Sequence, residues 1–240
     1  FLYLAHHMPH VPLFRSDAFV GKSGKGIYGD VIQEIDWSIG MVLDLIANLG
    51  IKEKTYLIFT SDNGPWLIMD AHSGSAGPLK GGKHTTFEGG MRVMTYFWGS
   101  KIEPSVVNYL GMQTDIFNTI LSLSNIQTHS SLKDSYNLKN SILEGHLSPR
   151  EFIPYYSGSE LRAFRYQNLK AHFITQGAYG RPPEREEHIE PVFYDLQEDI
   201  SESKPINSHE YKNQIRNLLL EVGKHSKSIV KKDPIFDGQN

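Results

Sequence analysis

The sequence predicts a layered α/β domain followed by a small antiparallel sheet closed by a helix. Three observations carry that expectation: a long amphipathic stretch at 28–49, the apolar run Tyr56–Phe59 behind it, and short strand-like pieces after Glu151. The chain has 240 residues, 39% hydrophobic and 21% charged, which is enough for a core in one large and one small unit. The expected divisions are 1–128 for the α/β unit, 129–150 for a polar connecting excursion and 151–240 for the small α+β unit.

Phe1–Leu4 reads as a buried strand entered partway, with no initiator Met ahead of it, so the chain is expected to be the C-terminal portion of a longer protein. From Tyr28 the apolar residues Val31, Ile32, Ile35, Ile39, Val42, Leu43, Ile46 and Leu49 recur at helical spacing, with Gly50 placed to end the helix. Residues 55–59, "TYLIF", have little polarity on either face, as in a strand covered on both sides, and 94–98, "MTYFW", reads as another strand. Asp115–Leu123 is a shorter helix for which Thr114 is the expected N-cap. Beyond Glu151, "FIPYY", "LRAFRY", "KAHFIT" and "PVFYDL" predict an antiparallel sheet. A final helix is expected near 208–222, capped by Ser208, buried through Tyr211, Ile215, Leu218, Leu219 and Val222, and closed by Gly223 ahead of a solvated basic tail.

Composition removes several function classes. A net charge of −3 without a basic block argues against nucleic acid as a partner. No apolar run approaches the ~20 residues that span a bilayer. With no cysteine, disulfides, thiolate metal sites and a cysteine nucleophile are excluded.

Four segments offer chemistry. In "TSDNGPW", Asn63-Gly64 could be a hairpin turn, but the preceding strand does not alternate and Pro65 lacks an N–H for a returning ladder. The other reading is a strand end at which Asp62 and Asn63 offer the oxygen donors that Ca²⁺ or Mg²⁺ prefers. "AHHMPHVP" holds His6, His7 and His10 among prolines that make a helical zinc pair improbable, leaving zinc a minority reading beside an ordinary hydrogen-bonded histidine or a proton donor. "GPLKGGKHTTFEGG" nearly matches a phosphate loop, but His84 stands where Ser or Thr should hold Mg²⁺, leaving Lys83 either as an anion contact or as a solvated lysine. Arg92 either binds an anion or pairs with Glu88, and His172, alternating with apolar neighbours, has the pattern of a structural strand histidine.

In this order, "FLYLAHHMPHVP", "GIYGDVIQEIDWSIGMVLDLIANLG", "LIFTSDNG", "GPLKGGKHTTFEGGMR", "LKAHFITQG" and "VFYDLQED" resemble the sulfatases of the alkaline phosphatase superfamily over roughly residues 1–200. The resemblance implies an α/β/α sulfatase-like fold, incomplete here, and metal-dependent hydrolysis of sulfate esters of aryl alcohols, sulfated sugars or glycolipids. It implies that Asp62 and Asn63 are ligands of one divalent cation, usually calcium. Lys83 would hold the sulfate, His10 would protonate the leaving alcohol, and His172 would lie near the substrate pocket, with His6 and His7 mainly structural. An extracytoplasmic setting is implied, and a homo-oligomer is compatible with it.

The departures are specific. The family nucleophile is a formylglycine made within C/S-x-P-x-R; here the only Ser-x-Pro, Ser203-Lys204-Pro205, has Asn207 where Arg should be. The family's Asp-Asp metal pair is absent, and no proline follows Arg92. These elements are expected in a missing N-terminal part, so the isolated chain is expected to be inactive. The rival functions are a phosphoesterase or phosphonate hydrolase of the same superfamily and a catalytically inactive binding protein.

Overall fold

In a computed structural model of the chain, which describes residues 1–127 and 134–230, the longest element is α1 (Gly26–Asn48). Its start is held from a distance: the Asp30 carboxylate accepts hydrogen bonds from the Ser23 and Gly21 amides, the Ser23 hydroxyl and Arg15. The Ser23 contacts lead these in holding the Asp30 carboxyl down at about 2. The helix ends at Gly50, whose φ is +65, with Gly50 N–H donating to Ala47 O and Ile51 N–H to Ile46 O. That is the paired-bond terminator for which glycine is favoured, since a left-handed residue there carries no Cβ penalty. On the predicted stripe Val31 and Ile46 are buried, whereas Ile32 and Leu49 are exposed.

The run after α1 forms β1 (Tyr56–Thr60), followed by a long loop, the single-turn helix α2 (Glu88–Met91) and β2 (Thr95–Gly99). The two strands pair antiparallel, Thr60 opposite Thr95. The returning strand therefore comes only after the whole loop, and Asn63-Gly64 is not a hairpin turn. Both strands are half-covered rather than buried, and residues 1–4 are exposed and form no strand. An extended segment becomes a buried strand only when neighbours pair and cover it, and no described residue does so for 1–4.

Next comes α3 (Gln113–Leu123). The expected cap at Thr114 is not the one used: Met112 is the N-cap residue, and Asp115 reaches back to its N–H at 2.7 Å. The same carboxylate accepts from Tyr136 N–H and takes both arms of Arg150 at 2.6 Å. Both side chains are buried, so this bidentate pair fixes the connecting segment, including α4 (Lys139–Glu144), against α3.

The C-terminal unit has four antiparallel strands in sequential order: β3 (Phe152–Ser157), β4 (Glu160–Tyr166), β5 (Leu169–Thr175) and β6 (Glu186–Asp195). One face carries Phe164, Leu169, Ala171 and Phe193 and is closed by Leu218 of α5 (Lys212–Ser228). This helix starts later than expected, after Tyr211 and without a side-chain cap, and Asn207 rather than Ser208 accepts from His209 N–H in the turn before it. It runs past Gly223 because His225 packs on Phe152 and Phe164 and meets the Tyr156 hydroxyl at 2.9 Å. Leu219, expected in the buried stripe, is exposed. The C-terminal half of the predicted basic tail lies outside the described residues. No helix among them is long and apolar enough to cross a membrane.

Replacing Asp115 by Ala strands the buried Arg150 guanidinium, for which a cost of about 3–5 kcal/mol is expected. A denaturant titration checks this; Arg150→Met with Asp115→Asn, which removes both charges, should be milder than Asp115→Ala alone.

Candidate active site

The end of β1 and the glycine-rich loop are laced together by backbone. Gly64 N–H donates to Gly90 O at 3.0 Å, Lys83 N–H to Pro65 O at 2.8 Å, and Gly89 N–H to Lys80 O at 2.8 Å. This approach needs bare backbone, because a Cβ on Gly64 would collide with the Gly89 carbonyl and one on Gly89 with the Gly81 carbonyl. The segment therefore acts as a brace, and not as a phosphate loop. Lys80 Nζ donates to Glu202 O, and the helix that follows is a single turn.

The brace carries the Lys83 side chain to His10, with Nζ 3.1 Å from His10 Nε2. His10 Nδ1 lies 2.7 Å from the Val11 carbonyl, so Nδ1 carries the hydrogen and Nε2 accepts from the ammonium. Trp66 lies beside both groups, its ring 5.4 Å from the His10 ring and 5.1 Å from Lys83 Nζ. His10 is exposed, as are His6 and His7. Asp62 and Asn63 sit three residues or fewer ahead of Pro65, so the oxygen donors, the lysine and His10 share one end of β1. Gln113 of α3 holds this end by donating to Ser61 O at 2.5 Å.

A hard divalent cation suits part of this geometry. The Asp62 side chain is exposed, and hydrogen bonds engage the backbone carbonyl of Asp62 rather than its carboxylate. Among the described residues, no group of three or more metal-ligating side chains is assembled. Asp62 and Asn63 supply two side-chain oxygens, fewer than the roughly six to eight that Ca²⁺ takes.

His172 does not join them but lies buried on β5, in keeping with the pattern of a structural strand histidine. Its side chain has no exposure, and Nε2 lies 2.6 Å from Glu202 Oε1. Burial drives its pKa down, against the pull of Glu202, so the ring is neutral and donates from Nε2. It belongs to a buried cluster in which Lys170 Nζ contacts Glu88 at 2.9 Å and Glu202 at 3.1 Å. Arg165 and the Tyr155 hydroxyl also reach Glu88, while Glu202 accepts from Glu88 N–H. Burial alone would raise both carboxyls, but the cations around Glu88, and His172 with Lys170 around Glu202, hold them below the ordinary value. Arg92 takes no part; of its two readings, the pair with Glu88 is not formed, because Glu88 pairs with Lys170 and Arg165.

Sequence reasoning missed Trp66, Tyr179 and Arg181, which surround a recess of about 160 Å³ beside Lys83. Trp66 and Tyr179 stand 5.5 Å apart, and His84 meets Tyr179 edge-on at 5.1 Å. Two of these are backbone outliers, His84 at φ +70 and Tyr179 at φ +56, each costing about 1–2 kcal/mol in the left-handed region. A non-glycine residue tolerates that cost only where its surroundings hold it.

A family model described as "Sulfatase" matches residues 1–126, more than half of the chain, and one described as the C-terminal region of aryl-sulfatase matches 148–240. The chain belongs to the sulfatase family. It is 37% identical to N-acetylgalactosamine-6-sulfatase of Rattus norvegicus over 98% of its own length and 49% of that protein. It is 35% identical to arylsulfatase A of Bos taurus, covering 85% of this chain and 43% of that one. Among solved structures, a sulfatase from Pseudoalteromonas sp. superposes with a TM-score of 0.83 at 25% identity, covering 91% of this chain and 46% of the other. This sulfatase chain thus spans about half the length of the curated relatives it matches.

The buried cluster makes the sulfatase chain acid-sensitive. His172, Glu88 and Glu202 all have folded pKa values below their ordinary ones, so each contributes stability that is whole above its ordinary pKa and lost as pH falls through the lowered one. Stability should therefore begin to fall below pH 6.5 and fall faster below pH 4.5. Lys170→Met should move acid unfolding, followed by circular dichroism against pH, to higher pH.

Proposed function

We propose that the complete protein is a sulfuric ester hydrolase, using a divalent cation, calcium by family resemblance, at Asp62 and Asn63. The observation that carries this reading is the 3.1 Å contact between Lys83 and His10, braced against the same strand end as the two oxygen donors. When bound, the cation would supply positive charge against the sulfate oxygens. The formylglycine nucleophile is expected outside residues 1–240. We place the division between catalytic and C-terminal units at 129–150, and the setting as extracytoplasmic, as part of the same reading.

The chemistry follows from the two side chains. S–O cleavage leaves charge on an alkoxide or phenoxide, and a proton delivered to that oxygen removes it. Lys83, exposed on one side, would bind the non-bridging oxygens of the ester. Those oxygens would then replace His10 Nε2 as acceptor for the ammonium, and Nε2, once it has taken a proton from solvent, would hand that proton to the departing oxygen. The Val11 carbonyl keeps the ring turned so that Nε2, not Nδ1, faces the ester.

In the complete protein, Asp62→Ala should reduce calcium affinity and turnover by more than about 100-fold, since even outer-shell partners are worth 10–100-fold. Its circular-dichroism spectrum should stay native; unchanged calcium affinity would remove the metal role. His10→Ala should cost about 10²–10⁴-fold with poor leaving groups and less with good ones, because a stable anion needs no proton. Equal losses across a leaving-group series would count against His10 as the acid.

A further inference from the structure

The recess beside Lys83 is more than a gap between loops. One side is made by two aromatic rings in contact, the Trp66 indole beside the His10 ring and the Tyr179 phenol tilted against Trp66 at 5.5 Å, and His84 meets Tyr179 edge-on. Tyr179 is 47% exposed, so much of its ring is open to a ligand. The floor is Gly81–Gly82, bare backbone next to the Lys83 ammonium. At the rim stands Arg181, exposed, whose side chain has as its only described hydrogen bond a long one of 3.5 Å to the Leu67 carbonyl. Among the described residues it has no carboxylate partner.

We propose that Trp66 and Tyr179 form a stacking platform for the ring whose sulfate ester meets Lys83 and His10, and that Arg181 reads a second anionic group on that ligand. This deepens the hydrolase reading and rests on it for the position of the ester. Aromatic faces carry negative charge and attract the polarised C–H face of a saturated sugar ring, while apolar walls with a few fixed polar groups are the usual makeup of small-ligand sites. The platform selects a cyclic, polyanionic alcohol, a sulfated pyranose with a further sulfate or carboxylate, over a singly charged sulfate ester. Tyr179 and His84 are held in the left-handed backbone region at this one place, with their rings in mutual contact. Trp66, Tyr179 and Arg181 are specificity-determining residues; none handles the reacting oxygen.

The test is equilibrium binding to the complete protein, by calorimetry, of inorganic sulfate, a monosulfated hexose and a disulfated hexose, alongside turnover of a sulfate ester. Tyr179→Ala should weaken the monosulfated hexose about 3- to 10-fold, the worth of one aromatic contact, while inorganic sulfate stays within about twofold. Tyr179→Phe, which keeps the ring, should bind as the parent does. Arg181→Gln should erase the advantage of the disulfated over the monosulfated hexose. Equal weakening of sulfate and hexose by Tyr179→Ala would mean that Tyr179 only supports the loop, and hexose binding unchanged by it would also overturn the platform. If the parent binds the hexoses with this dependence but hydrolyses no sulfate ester, the hydrolase reading falls and the platform stands. If it hydrolyses esters while Tyr179→Ala binds like the parent, the platform alone falls.

Discussion

The structure depends on a single buried ammonium. Lys170 lies on a central strand of the C-terminal sheet with no exposure, bonded to Glu88 of the glycine-rich segment and to Glu202 beyond the sheet. Desolvating three charges is expensive, and the cluster is tolerable because every member has several partners: Glu88 has Arg165, Lys170 and Tyr155, and Glu202 has His172, Lys170 and the Glu88 amide. Its effect is positional. It ties the segment that carries Lys83 to a rigid sheet, so a loop rich in glycine is fixed at both ends without a hydrophobic core of its own.

Around that anchor the site is made mostly of main chain. Glycines 64, 82, 89 and 90 let two loop segments approach more closely than side chains would allow, and the amide contacts between them hold Lys83 facing His10. Short polar side chains manage the approaches from elsewhere, with Asp30 fixing the path that follows the histidines and Gln113 the end of β1. The ammonium and the imidazole thus meet although 73 residues separate His10 from Lys83.

How much of this was legible depended on range. Helix α1 and its end at Gly50 could be read because spacing and a left-handed glycine are local signals. The strand-end reading of Asp62 and Asn63 over a hairpin turn could be weighed from Pro65 and the non-alternating strand, also local. The cap expected at Thr114 was misplaced because the next residue, Asp115, reaches back to the Met112 N–H, and α5 begins without any side-chain cap, so Ser208 could not mark its start. The alternation around His172 marked it as a structural strand histidine, but its partner, Glu202, is 30 residues on in no regular element, so the sequence could not name that partner. Trp66 and Tyr179 were missed for the same reason; their contact exists only once β5 has been laid beside the glycine-rich segment.

The burial of Lys170 has a chemical corollary. An amine reacts only where a reagent can reach it, and this one is walled in, with no exposure, between two carboxylates. Lys83, a short distance along the loop from Glu88, faces an open recess. Amine-directed reagents and enzymes that modify lysine would therefore meet two very different groups. They would reach Lys83 in the folded protein and Lys170 only in molecules whose sheet has parted from the loop.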